Sequence, residues 1–169
     1  MSATIQIHEM SALTTGTDKT SGTVRFKDAD NATVDANNPL EVPAAGSIYS
    51  YTKKLRAKMT DPPDTSVSDL KWYTDGSNTF GTGIGVTIFN RGVTWTANYK
   101  TAMATGTDLF GYSGPSTAFD GDVTDTGPFV PADDDTYIGD LIELQMSVDS
   151  TAPHRTLVAE TLTLSYDEI

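Results

Sequence analysis

Ile48-Tyr49-Ser50-Tyr51-Thr52-Lys53-Lys54-Leu55-Arg56-Ala57-Lys58-Met59 decides the fold. Side chains on a strand alternate between two faces. Tyr49, Tyr51, Leu55, Ala57 and Met59 therefore share one face, interrupted by Lys53, while Lys54, Arg56 and Lys58 share the other. A one-residue slip in pairing would exchange these sets and bury three cations, so the register is well specified. A helix would scatter the same residues around its circumference. The segment predicts a strand, ended by Asp61-Pro62-Pro63-Asp64.

Outward from this strand the same pattern recurs in short runs separated by turn residues. Thr4–His8 places Ile5 and Ile7 on one face, leaving His8 outward. Thr23–Lys27 aligns Val24 with Phe26. Val67–Tyr73 is a further strand, with a turn at Asp75-Gly76-Ser77-Asn78. Ile84–Phe89 and Val93–Ala97 flank a tight turn at Asn90-Arg91-Gly92 and predict a hairpin that puts Trp95 in the core. Ile138–Val148 and Val158–Tyr166 close the chain. Residues 11–22 and 28–43 read as polar loops. Residues 101–136, with five glycines and three prolines, read as one long loop with a short helical turn near 101–104. Loops of that length are usually functional.

The absence of any amphipathic helix argues for an all-β, antiparallel β-sandwich, jelly-roll-like or immunoglobulin-like, with long loops. The 169 residues form a single domain over 1–169, and an extended N-terminal arm would fall within residues 1–46, the least periodic part.

Composition narrows the function classes. Threonine occurs 27 times and cysteine never, which excludes a disulfide scaffold and any cysteine-ligated metal. The net charge of −12, from 23 acidic and 11 basic residues, opposes binding to phosphate backbones, so no nucleic acid partner is expected. No apolar run approaches the roughly 20 residues that span a bilayer, so no membrane partner is expected either. The first residues lack a basic and an apolar region, which leads us to expect synthesis without a secretory signal.

Motifs for chemistry are weak. Gly81-Thr82-Gly83-Ile84-Gly85 precedes a strand rather than a helix, so phosphate binding is not expected. Asp28, Asp30 and Asp35, and Asp120, Asp122 and Asp125, space oxygen ligands as calcium loops do. Both lack the glycine and the closing glutamate, so solvated acidic turns are the better reading and no metal or cofactor is expected. His8 and His154 are the only histidines, and no serine stands in a nucleophile elbow, so no catalytic residue is assigned. Lys54, Arg56 and Lys58 are the candidate partner contacts. They form either a solvated, protected edge or a basic stripe for an acidic partner, and solvation is the plainer reading.

Two stretches bear a resemblance. One is Leu55–Met59 leading into Asp69-Leu70-Lys71-Trp72-Tyr73-Thr74-Asp75-Gly76-Ser77-Asn78 and Gly81–Val86. The other is Ile142-Glu143-Leu144-Gln145-Met146-Ser147-Val148 followed by Glu160–Glu168. Both resemble small all-β virion structural proteins of tailed bacteriophages. The resemblance implies a non-enzymatic capsid decoration (cement) protein, assembled in the host cytoplasm. Its partners would be the major capsid protein or another virion protein, and it would itself be a homo-oligomer, with a trimer favoured. A tail tube or terminator subunit is the alternative within the virion. A carbohydrate- or cell-surface-binding module, using Trp72, Tyr73 and Trp95, is the alternative outside it.

Overall fold

The computed structural model describes residues 2–30 and 39–169. Among the described residues ten strands follow in chain order: β1 Thr4–Ala12, β2 Thr15–Asp18, β3 Ser47–Tyr49, β4 Lys53–Asp61, β5 Val67–Tyr73, β6 Ile84–Asn90, β7 Thr107–Asp108, β8 Phe119–Asp120, β9 Tyr137–Asp149 and β10 Thr163–Glu168. The larger sheet runs β2-β1-β4-β9-β6-β7, with β3 also paired to β9, and the smaller runs β10-β5-β8. Every pairing is antiparallel. The two sheets stack as an open sandwich, so the all-β, antiparallel, sandwich-like class holds.

Cross-strand register explains the core. Leu55 lies opposite Ile142, Ile88 opposite Leu144, Val86 opposite Met146 and Ile84 opposite Val148, so one face of the larger sheet is continuously apolar. Trp72 and Leu70 of β5 are also buried, in the two apolar clusters between the sheets. Each such side chain contributes about 1.5–3 kcal/mol by leaving water, which makes this interface the main source of stability.

The decisive segment keeps its predicted alternation but is not one strand. The ladder breaks at Ser50: its N still donates to Met146 O, but its Oγ accepts from Met146 N and donates to Tyr51 O, while Tyr51 N and Thr52 N donate to Lys27 O and Tyr99 O outside the sheet. A second irregularity falls at Arg56, where the register against β9 shifts between Leu55 and Ala57. Gly139 stands across from it with φ +67°, and a Cβ there would meet Leu70 Cδ1 at 2.4 Å. Only glycine fits that position.

Several expectations are corrected. Residues 93–97 form no strand, because both sides of β6 are occupied by β9 and β7 and no hairpin partner can fit. Residues 23–27 also leave the sheets, although Val24 and Phe26 still pack on the core. Residues 15–18, expected in a loop, form the edge strand β2, so residues 4–18 belong to the body rather than to an arm. His8 is buried, not outward. The long loop 101–136 carries β7, β8 and 3₁₀ turns at Leu109–Gly111, Pro115–Thr117 and Pro131–Asp133, with none at 101–104. Val158 is 58% exposed, and the last strand begins only at Thr163.

Candidate functional site

The second face of the larger sheet is polar and, over its centre, dry. Lys54 on β4 and Phe89 on β6 both lie opposite Glu143 on β9, and Thr87 lies opposite Gln145. Residues 91–103 run across this face without joining it as a strand. Thr52 N donates to Tyr99 O at 3.0 Å, Met103 N donates to Gln145 Oε1 at 2.8 Å, and Gln145 Nε2 donates to Thr101 O at 2.9 Å. This strap and β9 together bury Lys54, Glu143 and Gln145.

The expectation of a solvated basic face is therefore corrected. Lys54 Nζ and Glu143 Oε1 are 2.8 Å apart, and neither side chain has exposed surface. Glu143 Oε2 accepts from Arg91 Nε at 2.5 Å and from Tyr99 OH at 3.1 Å. Burial pushes the Lys54 ammonium below its ordinary pKa, against the pull of Glu143. Burial alone would raise the Glu143 carboxyl, but Lys54 and Arg91 outweigh it and hold it below the usual range. Burial, then the Glu143 charge, raises the Tyr99 phenol. A buried charge persists only when it is paired, and the strap supplies the pairing.

Arg56 is internal as well. Its Nε donates to Gly139 O at 2.8 Å, and its second nitrogen meets Asp125 Oδ2 at 2.7 Å. Asp125 is held in turn by Asp140, a buried side chain on β9. Asp140 accepts from Asp125 N at 2.8 Å, Thr124 N at 2.9 Å and Asn90 Nδ2 at 2.8 Å. Of the three candidate contacts, Lys58 alone reaches the rim. It pairs with Asp135 at 2.5 Å, a bond that raises the Lys58 pKa and lowers that of Asp135.

Beside Lys58 a groove of about 530 Å³ opens between the β1–β2 turn and the start of β9. Thr14, Thr15, Gly16, Asp135, Thr136 and Tyr137 line it, with Arg56 at its base. Tyr137 connects it to the interior: its OH bonds His8 Nδ1 at 3.1 Å, and Lys58 Nζ lies 5.9 Å from its ring. Burial lowers the His8 pKa, with a further push from Lys58, against the pull of Asp18. The groove is polar and open, suited to a partner's surface chain more than to an enclosed small molecule.

The aspartate clusters are dispersed into separate contacts. Asp28 pairs with Lys100, and Asp30 accepts from Asn98 Nδ2. Asp35 lies outside the described residues. Asp120 faces Lys71 at 3.7 Å, while Asp125 is committed to Arg56. Among the described residues no three His, Asp or Glu side chains converge on one point. Asp122 does carry a raised pKa, to about 6, from burial and the neighbouring Asp120 carboxyl, against its bond from Leu70 N. Gly81 and Gly83, at φ +96° and +77°, form the turn into β6. Trp95 is half-buried with its ring 5.3 Å from Lys54 Nζ, so it caps the ion pair instead of entering the core.

Sequence reasoning missed the partnership of Lys54 with Glu143. The available signal was that both faces of a central β9 must be covered, and its polar face offers Glu143 and Gln145. Comparison with known proteins adds no relative: no family model, no curated protein and no solved structure matches this chain.

Proposed function

We propose that this protein is a non-enzymatic virion structural protein of a tailed bacteriophage, most simply a capsid decoration protein seated on the outer surface of the head. One observation carries the reading. The segments that bear the resemblance, 55–59, 69–78, 81–86, 142–148 and 160–168, contribute to β4, β5, β6, β9 and β10, the strands around which both sheets are built. The likeness therefore lies in the framework and not in a peripheral loop.

A decoration protein needs no catalytic group. Many copies on a lattice multiply weak contacts through avidity, and a symmetric oligomer, here a trimer, matches the lattice axes. The contact surfaces in this reading are the Lys58–Tyr137 groove and the 101–136 segment, since Lys54 and Arg56 are internal.

The test is co-sedimentation of recombinant protein with expanded heads and with unexpanded precursor shells of the phage that encodes it. Binding to expanded heads alone is expected. Antibody labelling confined to the tail, or stacked hexameric rings of the recombinant protein, would replace the decoration role with a tail role.

A further inference from the structure

Lys54 differs from Lys53, Lys58 and Lys71 in what it touches. Lys53, Lys58 and Lys71 meet the carboxylates of Glu9, Asp135 and Asp69. Lys54 meets a carboxylate and also a carboxamide, its Nζ lying 2.8 Å from Asn98 Oδ1. The carboxamide is held in orientation, because Asn98 Nδ2 donates to Asp30 Oδ1 at 2.8 Å and so turns Oδ1 toward the amine. Glu143 Oε1 stands 2.8 Å from the same Nζ, too oblique for a directed hydrogen bond, while Oε2 is occupied by Arg91 and Tyr99. The Trp95 ring, 5.3 Å from Nζ, and the strap itself keep water from the amine.

A lysine amine hydrogen-bonded to an amide oxygen, desolvated and beside a carboxylate, has the parts for acyl transfer at that amide. We propose that Lys54 and Asn98 join through an isopeptide bond that the chain forms by itself, with Glu143 moving the protons. Glu143 takes one proton from the ammonium. The free pair on Nζ then attacks Asn98 Cγ, and the carbonyl electrons move onto Oδ1. Glu143 returns its proton to Nδ2, which becomes the leaving group, and then takes the second proton from Nζ. Collapse of the intermediate re-forms the carbonyl, breaks Cγ–Nδ2 and frees ammonia, which accepts that proton from Glu143 and departs as ammonium. One N–H remains on the new amide, Glu143 is again a carboxylate, and the protein has lost one ammonia and one positive charge.

No oxidant, metal or cofactor enters this balance. Fixed proximity replaces a bimolecular encounter, which is where most of the rate would arise. The depressed Lys54 pKa adds neutral amine as pH rises, so the bond forms faster in mildly alkaline solution. Asp30 is a positioning residue: it touches the amide nitrogen and sets its direction. The product would tie β4 to the strap across a loop of 44 residues in a chain without cysteine. The inference is independent of the virion reading and can fail or hold without it.

Intact-mass spectrometry of the purified full chain, before and after incubation in mildly alkaline buffer, tests it. The expected mass lies one ammonia below the sequence value, and proteolysis yields a branched peptide joining Lys54 to Asn98. Asn98→Ala and Lys54→Arg should keep the full mass expected from their own sequences. Glu143→Gln should slow the loss by about a hundredfold. Wild-type protein that is folded by circular dichroism yet retains its full mass overturns the proposal. Ammonia loss without the branched peptide, as from succinimide closure at an asparagine, overturns it equally.

Discussion

The two faces of the larger sheet use the same strands in opposite ways. On one, Leu55, Ile142, Ile88 and Val86 meet the smaller sheet, and only apolar atoms leave water. On the other, Lys54, Glu143, Gln145 and Arg56 are just as buried, but each polar atom there depends on a specific partner. The apolar face is held by area and tolerates reshaping. The polar face is held by geometry, and a group deprived of its partner is costly to keep there.

Breaking the apolar face should have the largest effect. Trp72 is 1% exposed between the sheets, and Trp72→Ala should cost about 3–5 kcal/mol in urea denaturation. Asp140→Ala removes the acceptor of two backbone N–H groups and one carboxamide on the polar side. It should cost about 3 kcal/mol, with faster hydrogen exchange at Thr124 and Asp125 as its local sign. If Asp140→Ala proved harmless, the contrast between the faces would be wrong.

A subtler test uses pH. Asp122 has a folded pKa of about 6, above its ordinary value of 3.8, so the folded state holds a proton that the unfolded chain has released. Stability should then fall as pH rises from about 4 to about 6, and Asp122→Asn should flatten that slope. His8 works against it. Its folded pKa is depressed, so its contribution is complete above the unfolded value of 6.5 and is lost as pH falls through the folded value. The Asp122→Asn variant separates the two. The smallest effect belongs to Lys58→Ala at the rim. Its thermal midpoint should stay within the scatter of repeat melts, because an exposed ion pair contributes little.

The sequence made the apolar face readable and concealed the polar one. Alternation found β5 at Val67–Tyr73 and the long β9, because burial on one face leaves a period of two. The same alternation misread Val93, Trp95 and Ala97. An extended strap has the strand period too, yet Val93 is 42% exposed and Trp95 lies on a lysine. Charge misled for a related reason. The sign of the cations on β4 does not show their fate: that of Lys54 depends on Glu143, which lies 89 positions after it in the sequence and opposite it in the sheet. Of the candidate contacts, period two correctly placed Lys54, Arg56 and Lys58 on one face. It could not show that residues 91–103 cover Lys54, or that Gly139 and Asp125 take up Arg56.

The position of β9 also has a consequence for the order of events during synthesis. β4 and β6 are not neighbours; both pair with β9, which lies between them, and among the described residues β3 pairs with β9 alone. β9 ends at Asp149, so the middle of the sheet cannot close until that residue has left the ribosome. Until then β1 can pair with β2 and β4, β6 with β7 and β5 with β8, but nothing links β4 to β6, and Lys54 lacks its Glu143 partner. Folding here is a late closure around a single strand, slow in the way of chains whose contacts are far apart in sequence.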